Sequence, residues 1–222
     1  MKYNIMVVIK FRIWGNLRFL SHAETLRLFQ RACIRADIGM KYRGGFNPRP
    51  KLSLPVPRSV GVESDDELLY FYVEQEINET QKTNYLSEIK AALSAQLPEG
   101  CSLLSVEASK TKKPPQFYIV SYVFKTRTNE KLKVSAERLL AKESLPLQRQ
   151  AGTKTAKAKV VDVRPFLRTI RADKLSGDVA DICVECNFSP AGSIRIEEIL
   201  KLFELNAVDL AEPVRRISIK CN

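Results

Sequence analysis

His22 is the single histidine of the chain, so it is the only residue that could supply imidazole chemistry. It lies in the stretch RFLSHAE at the start of a predicted helix, where Glu24 favours the imidazolium and the helix dipole opposes it. Such a histidine could act as a general acid or base, or it could contact RNA beside Arg18 and Ser21. It could instead be a surface residue at a helix start that Ser21 caps.

The segment GGFNPRP, residues 44–50, combines backbone stiffening with positive charge. Its glycines permit positive φ angles and close approach to a ligand, whereas its prolines restrict the backbone around Asn47 and Arg49. Arginine can hold phosphates bidentately, and Phe46 could stack on a base. The alternative is a connection stiffened for folding, with Phe46 buried in the core. The residues predicted to bind in this region are Arg43, Gly44, Gly45, Phe46, Asn47, Arg49, Lys51 and Arg58.

A short motif, VVDVRP, occurs at residues 160–165 and predicts a strand that leads into a bend at the proline. Asp162 and Arg164 occupy alternate positions of this motif and therefore share one face of a predicted strand. They could pair with each other in a structural salt bridge, or they could orient Arg43 or Arg49 across the two halves of the chain. We therefore expect cations from both halves to converge around the GGFNPRP loop.

The net charge of +11 is unevenly distributed along the chain. Residues 1–60 contain twelve Lys/Arg and two Asp/Glu, whereas residues 61–109 contain ten Asp/Glu and two Lys/Arg. A second basic block, residues 149–171, has seven cations and one acid, and it includes Lys154 and Lys157 in a small, polar stretch. These blocks could be ordinary solvated faces. They could also bind a polyanion, and nucleic acid is favoured over a membrane because no basic amphipathic helix with a wide apolar face stands out.

The cysteine pattern and the motif content exclude several common chemistries. Five scattered cysteines predict reduced thiols rather than a disulfide framework. The one CxxC motif lies in VADICVECNF, an alternating pattern that would direct Cys183 and Cys186 to opposite faces of a strand. Phosphate-loop, dinucleotide-binding, zinc-protease and iron–sulfur cluster motifs do not occur. We therefore predict neither a cofactor nor a metal site.

Hydropathy along the chain indicates a cytoplasmic protein without a membrane partner. No run approaches the roughly 18 apolar residues that a membrane-spanning helix needs. The first stretch, MKYNIMVVIKFRIWG, lacks the basic flank, long apolar centre and cleavage site of a signal peptide. A chain of 222 residues can bury a real core as one domain or two.

The first half of the sequence predicts the element order βαββαβ. Alternation in YNIMVVIKFRI predicts a strand, and a capping box formed by Ser21 and Glu24 begins a helix that ends at Gly39. An irregular loop and a short strand near KLSL come next. They are followed by the strand ELLYFYVEQEI, the helix TNYLSEIKAALSAQL and the strand CSLLSVEAS.

The second half repeats this order after the linker KTKKPPQ. The predicted elements are the strand FYIVSYVFKTR, the helix EKLKVSAERLLAKE, the strands AKVVDVRPFL and DVADICVECNF, the helix IRIEEILKLFEL and the strand VRRISIK. We therefore predict an α+β fold of two tandem ferredoxin-like (βαββαβ) units with antiparallel sheets. Residues 1–110, with the GGFNPRP loop, would form the first unit, and residues 115–222 the second. A single mixed α+β domain is the alternative.

Three stretches together resemble a known family. GNLRFLSHAETLRLFQRA, GGFNPRPKLSL followed by VGVES, and VVDVRPFL are similar to the radical-SAM-linked bacterial domain of unknown function. That domain occurs alone or at the C-terminus of B12-binding radical SAM proteins. The resemblance covers nearly the whole chain and implies a cytoplasmic partner of a radical SAM enzyme in ribosome or RNA metabolism. Because the cluster cysteines of that enzyme are missing here, the chain cannot itself be the radical enzyme.

The leading hypothesis from the sequence is a non-catalytic RNA-binding accessory module acting on ribosomal or transfer RNA. An enzyme is the second hypothesis, either a metal-independent endoribonuclease or an RNA-modification factor using His22. A protein-only adaptor for a radical SAM enzyme is the third. The predicted tandem fold is also similar to CRISPR repeat-processing endoribonucleases, a likeness that favours RNA binding but does not argue for cleavage.

Overall fold

A computed structural model describes residues 4–76, 79–109, 111, 113–127, 131–149, 159–174 and 179–221. The chain divides into two compact units, Met1–Gln116 and Phe117–Asn222. The fold is mixed α+β, as predicted, with four α-helices in the described residues and antiparallel strand pairing within each unit. None of the helices in the described part of the chain is long and apolar enough to cross a membrane.

Unit 1 contains a sheet in which the strands follow the order β4-β1-β3, with β2 paired to β3. A 3₁₀ turn, Gly15–Phe19, connects the first strand to the first helix. The elements in chain order are β1 (Asn4–Ile13), α1 (His22–Arg35), β2 (Leu52–Ser53), β3 (Glu63–Glu76), α2 (Glu79–Ser94) and β4 (Cys101–Ala108).

The core of unit 1 lies between β1 and α1. Alternate residues of β1 are fully buried, which confirms the period-two pattern predicted for this strand. Phe11 of β1 packs against Phe29 of α1, with ring centroids 4.5 Å apart in an edge-on arrangement. Burial also raises the pKa of the Cys33 thiol on α1 to about 12, so this cysteine is an inert core residue.

Unit 2 contains a sheet in the order β10-β5-β9-β8 and a separate hairpin formed by β6 and β7. Its 3₁₀ turns are Arg164–Phe166 and Ala207–Asp209. The other elements are β5 (Tyr118–Arg127), α3 (Lys131–Ala141), β6 (Pro146–Arg149), β7 (Lys159–Asp162), β8 (Leu167–Lys174), β9 (Val179–Phe188), α4 (Ile196–Leu202) and β10 (Arg215–Cys221).

The predicted bend at Pro165 is confirmed, but the prediction that AKVVDVRPFL forms one strand is wrong. This stretch ends β7 at Asp162, passes through a 3₁₀ turn that contains Pro165, and only then enters β8. The Asp162 carboxylate accepts hydrogen bonds from the backbone N–H groups of Leu145 and Arg164, at 2.7 Å and 3.0 Å. Because these bonds fix a turn and proline cannot donate to a strand ladder, the strand is interrupted.

Strand β9 confirms the prediction made for the CxxC motif. Cys186 lies on the buried face of the strand, whereas Cys183 lies on the opposite, partly exposed face. Burial raises the pKa of the Cys186 thiol to about 12. The two sulfur atoms therefore do not share a face on which they could act together.

Candidate functional site

The GGFNPRP segment forms the end of a narrow two-stranded projection, residues 41–51, called here the basic loop. At its base, Lys41 N donates to Tyr72 O at 2.7 Å, and Tyr72 N donates to Lys51 O at 3.2 Å. Lys51 N donates back to Lys41 O at 2.7 Å, and Arg43 N donates to Arg49 O at 2.8 Å. The projection is thus anchored on β3 and closed by backbone hydrogen bonds up to Arg43 and Arg49.

The tip of the basic loop is open to solvent. Phe46 is completely exposed, at 101% relative accessibility, and every residue from Tyr42 to Arg49 is exposed. Gly45 has φ of 130°, a conformation that favours glycine and allows the chain to reverse direction here. The alternative in which Phe46 plugs the core is therefore wrong.

The two arginines that flank the tip are exposed to solvent, where an anion could reach their charges. Neither Arg43 nor Arg49 forms an ion pair with any residue that the structure describes, and both side chains are exposed. Lys51 lies nearer the base, with its Nζ 5.9 Å from the centroid of the Tyr72 ring. The basic loop consequently exposes one aromatic ring, that of Phe46, and the guanidinium groups of Arg43 and Arg49.

Arg58 belongs to the same proline-rich stretch but is buried inside unit 1. Its guanidinium donates to the backbone carbonyls of Arg18 at 2.7 Å, Leu20 at 3.2 Å and Val62. Its Nε lies 3.8 Å from the carboxylate of Glu67, and both side chains are only 5% exposed. Arg58 therefore ties the 3₁₀ turn to β3 and does not face solvent.

The remaining candidates of unit 1 lie where the 3₁₀ turn meets α1. Arg18 donates to the carbonyl of Gly15 at 3.1 Å, and its guanidinium lies 4.4 Å from the centroid of the Phe19 ring. Ser21 forms the predicted capping box with Glu24, whose carboxylate accepts from Ser21 N at 2.8 Å and from Ser21 Oγ at 2.6 Å. Those hydrogen bonds lower the pKa of the Glu24 carboxyl.

His22 is the first residue of α1 and is partly buried. Its Nδ1 is shielded from solvent and has no hydrogen-bond partner among the described residues. Burial lowers the pKa of the imidazole below its ordinary value of 6.5, so His22 is neutral at pH 7. A neutral imidazole can accept or donate a hydrogen bond but adds no charge to an anion site.

The candidates of unit 2 are engaged in local structure. Arg164 donates to the carbonyls of Leu140 at 2.7 Å, Lys142 at 2.9 Å and Leu167 at 3.0 Å, so it caps the C-terminus of α3. The backbone hydrogen bond from Leu145, followed by that from Arg164, lowers the pKa of Asp162. Lys154 and Lys157 lie outside the described residues.

Arg149, at the start of the second basic block, is also held by contacts within unit 2. Its guanidinium contacts both carboxylate oxygens of Glu198, at 2.6 Å and 2.9 Å, and the carbonyl of Ser193 at 2.6 Å. This bidentate pair ties β6 to the start of α4. Arginines of this block thus stabilise unit 2 at two places.

Three further arginines were not selected from the sequence. Arg27, Arg31 and Arg35 recur every fourth residue along α1 and line a groove on the surface of unit 1. The spacing was visible in LRLFQRACIR, because residues four apart lie on one face of a helix. The sequence alone does not show that apolar side chains from other segments lie beside these arginines.

Comparison with known proteins places the chain in a family. Residues 7–197 match the model of a family described as "Uncharacterized protein conserved in bacteria (DUF2344)". A search of curated proteins finds no match. Since the matched region spans most of the chain, the protein belongs to this bacterial family.

Proposed function

We propose that the protein is a non-catalytic RNA-binding module and that the basic loop contacts the nucleic acid. The observation that carries this proposal is the complete exposure of Phe46 between the exposed Arg43 and Arg49. The exposed ring offers apolar area that a partner can cover, and both arginines lie within three residues of it in the sequence. An unstacked base flanked by phosphates is a partner that suits both the ring and the cations.

Preorganisation strengthens this interpretation. The cross-loop hydrogen bond between Arg43 and Arg49 and the two prolines fix the backbone in the free protein. Less conformational entropy is then lost when a ligand binds, so a small contact area can give useful affinity. Asn47, also exposed at the tip, offers amide donors and acceptors to a base edge.

We further infer that both units are ferredoxin-like and that the protein works in the cytoplasm beside a radical SAM enzyme. The first inference is supported by the strand orders β4-β1-β3-β2 in unit 1 and β10-β5-β9-β8 in unit 2. In each unit, a helix also follows the first and the third strand of that sheet. The partner and the location rest on the family resemblance of the three sequence stretches. Ribosomal or transfer RNA is the substrate class that this resemblance favours.

Replacement of Phe46 by alanine tests the proposed contact. An unstructured RNA of about 12 nucleotides is titrated with the protein, and binding is followed by fluorescence anisotropy. Loss of one stacked base should weaken binding by about tenfold or more, whereas Phe117→Ala, which removes another exposed ring, should leave binding unchanged. Equal affinity of Phe46→Ala and the wild type would contradict the proposal.

A ribonuclease that uses His22 is the second candidate, because its imidazole is neutral at pH 7, the form that a general base requires. His22→Ala separates the two functions. A ribonuclease should lose cleavage of the same RNA while it keeps binding, whereas a binding module cleaves nothing in either form. A pull-down of the radical SAM partner, done with and without competing RNA, would distinguish the RNA module from a protein-only adaptor.

A further inference from the structure

A groove of about 580 Å³ runs along α1 in unit 1 and is called here the α1 groove. One wall is the exposed side of α1, and the other is the corner between α2 and β4, residues 95–98. Its apolar lining comprises Leu17, Leu20, Leu28, Ala95, Leu97 and Pro98. A groove of this volume can accept several apolar side chains of a partner.

The rim of the α1 groove is positively charged. Arg27, Arg31 and Arg35 follow one another at intervals of about 6 Å along the helix axis. The single acid in the lining, Glu24, is held by the two hydrogen bonds from Ser21. No residue in the described part of the chain forms a salt bridge with Arg27 or Arg31.

One end of the α1 groove is already fixed in the free protein. Arg35 donates to the side-chain oxygen of Gln96 at 3.1 Å and to its backbone carbonyl at 2.7 Å. These bonds join the last turn of α1 to the segment after α2 and hold the two walls in place. Arg27 and Arg31 are therefore the cations that an incoming partner would meet.

We infer that the α1 groove binds an acidic amphipathic helix of a partner protein. Leucine side chains on one face of such a helix would contact the apolar lining of the groove. Carboxylates four residues apart on the same helix would match the spacing of Arg27 and Arg31. None of the lining residues is aromatic, so the groove lacks the stacking surfaces that single-stranded RNA uses. This inference is independent of the RNA contact proposed for the basic loop.

The test uses a hydrocarbon-stapled helical peptide of about 15 residues, with leucines on one face and glutamates four residues apart beside them. Binding to the full chain is measured by anisotropy, and the contacted residues are mapped by amide chemical shifts. We expect shifts at Leu17, Leu28 and Leu97. The double variant Arg27→Glu/Arg31→Glu should weaken binding about tenfold or more, and a peptide with lysine in place of glutamate should recover binding to that variant.

Three controls keep the result interpretable. Arg31→Glu alone leaves the neighbourhood of the capping box intact and should still weaken binding, whereas Arg138→Glu, on the exposed side of α3, should not. RNA affinity should fall less in Arg27→Glu/Arg31→Glu than in Arg43→Ala/Arg49→Ala, so loss of the peptide and loss of RNA are separate outcomes. Absence of groove shifts at millimolar peptide, no recovery by the lysine peptide, or RNA-induced shifts at the groove would each overturn the inference.

Discussion

Arg49 and Arg58 come from one proline-rich stretch, yet the fold uses them in opposite ways. Arg49 is exposed on the basic loop, where the loop's own backbone groups pair with each other. Arg58 is buried against several carbonyls of the 3₁₀ turn that precedes α1, and Glu67 balances its charge. The difference lies in the surrounding backbone, because Arg58 lies beside carbonyls of the 3₁₀ turn that accept its guanidinium in addition to their backbone N–H donors.

The other arginines also divide into those held in local contacts and those exposed to solvent. Arg149 and Arg164 hold carbonyls or a carboxylate inside unit 2, whereas Arg43, Arg27 and Arg31 are exposed without a described ion-pair partner. The number of Lys/Arg residues, 36, therefore overstates the number of cations that an anion would meet. The comparison predicts that the two classes of arginine respond differently to substitution.

The largest effect is expected for Arg58→Ala. Removing this side chain takes the Arg58 charge away from the buried Glu67 carboxylate and breaks several hydrogen bonds to backbone carbonyls, so we expect the free energy of unfolding to fall by about 3–5 kcal/mol. Urea denaturation of the full chain would measure the change. Arg49→Ala is the matched control and should change stability by less than about 0.5 kcal/mol. Equal stability of the two variants would remove the distinction between buried and exposed arginines.

Arg164→Ala should produce a smaller loss of stability. Its three backbone hydrogen bonds cap α3 and the turn before β8, but part of the side chain is accessible to water. We expect a decrease of about 1–3 kcal/mol in unfolding free energy, with RNA affinity retained. A selective loss of RNA binding by the folded variant would instead assign Arg164 to the ligand site.

His22 should give the smallest effect, and it depends on pH. Because burial lowers the pKa of this residue, the folded state favours the neutral form and the unfolded state takes up the proton first. The contribution to stability is complete above the ordinary pKa of 6.5 and decreases as pH falls below it. The difference in unfolding free energy between the wild type and His22→Asn should therefore change between about pH 7 and about pH 5.5. A constant difference would show that His22 is not shielded in solution.

Local sequence signals predicted most of the fold. Alternation identified β1 and β9, and the Ser21–Glu24 capping box identified the start of α1, because these signals depend only on neighbouring residues. Residues 158–167 do not form one strand because of a tertiary contact. Asp162 accepts a hydrogen bond from the backbone of Leu145, which is distant in sequence, and this bond helps to fix the turn. Pattern reasoning could not detect that partner.

For the candidate site, the glycines and prolines predict a stiff loop, and Arg43, Phe46 and Arg49 are each exposed on that loop in the structure. Arg58 was selected for its charge, but its burial depends on carbonyls from another element. Arg27 and Arg31 were overlooked because their significance depends on leucines supplied by separate segments.

The salt dependence of RNA binding tests the central claim most directly. For a short single-stranded RNA, the logarithm of the association constant should fall linearly with the logarithm of salt concentration, by about 0.7 for each phosphate neutralised. Arg43→Ala/Arg49→Ala should make this slope shallower by about 1.4, and Arg138→Ala should leave it unchanged. A flat response of the wild type, or an unaltered slope in the double variant, would contradict an RNA contact through the basic loop.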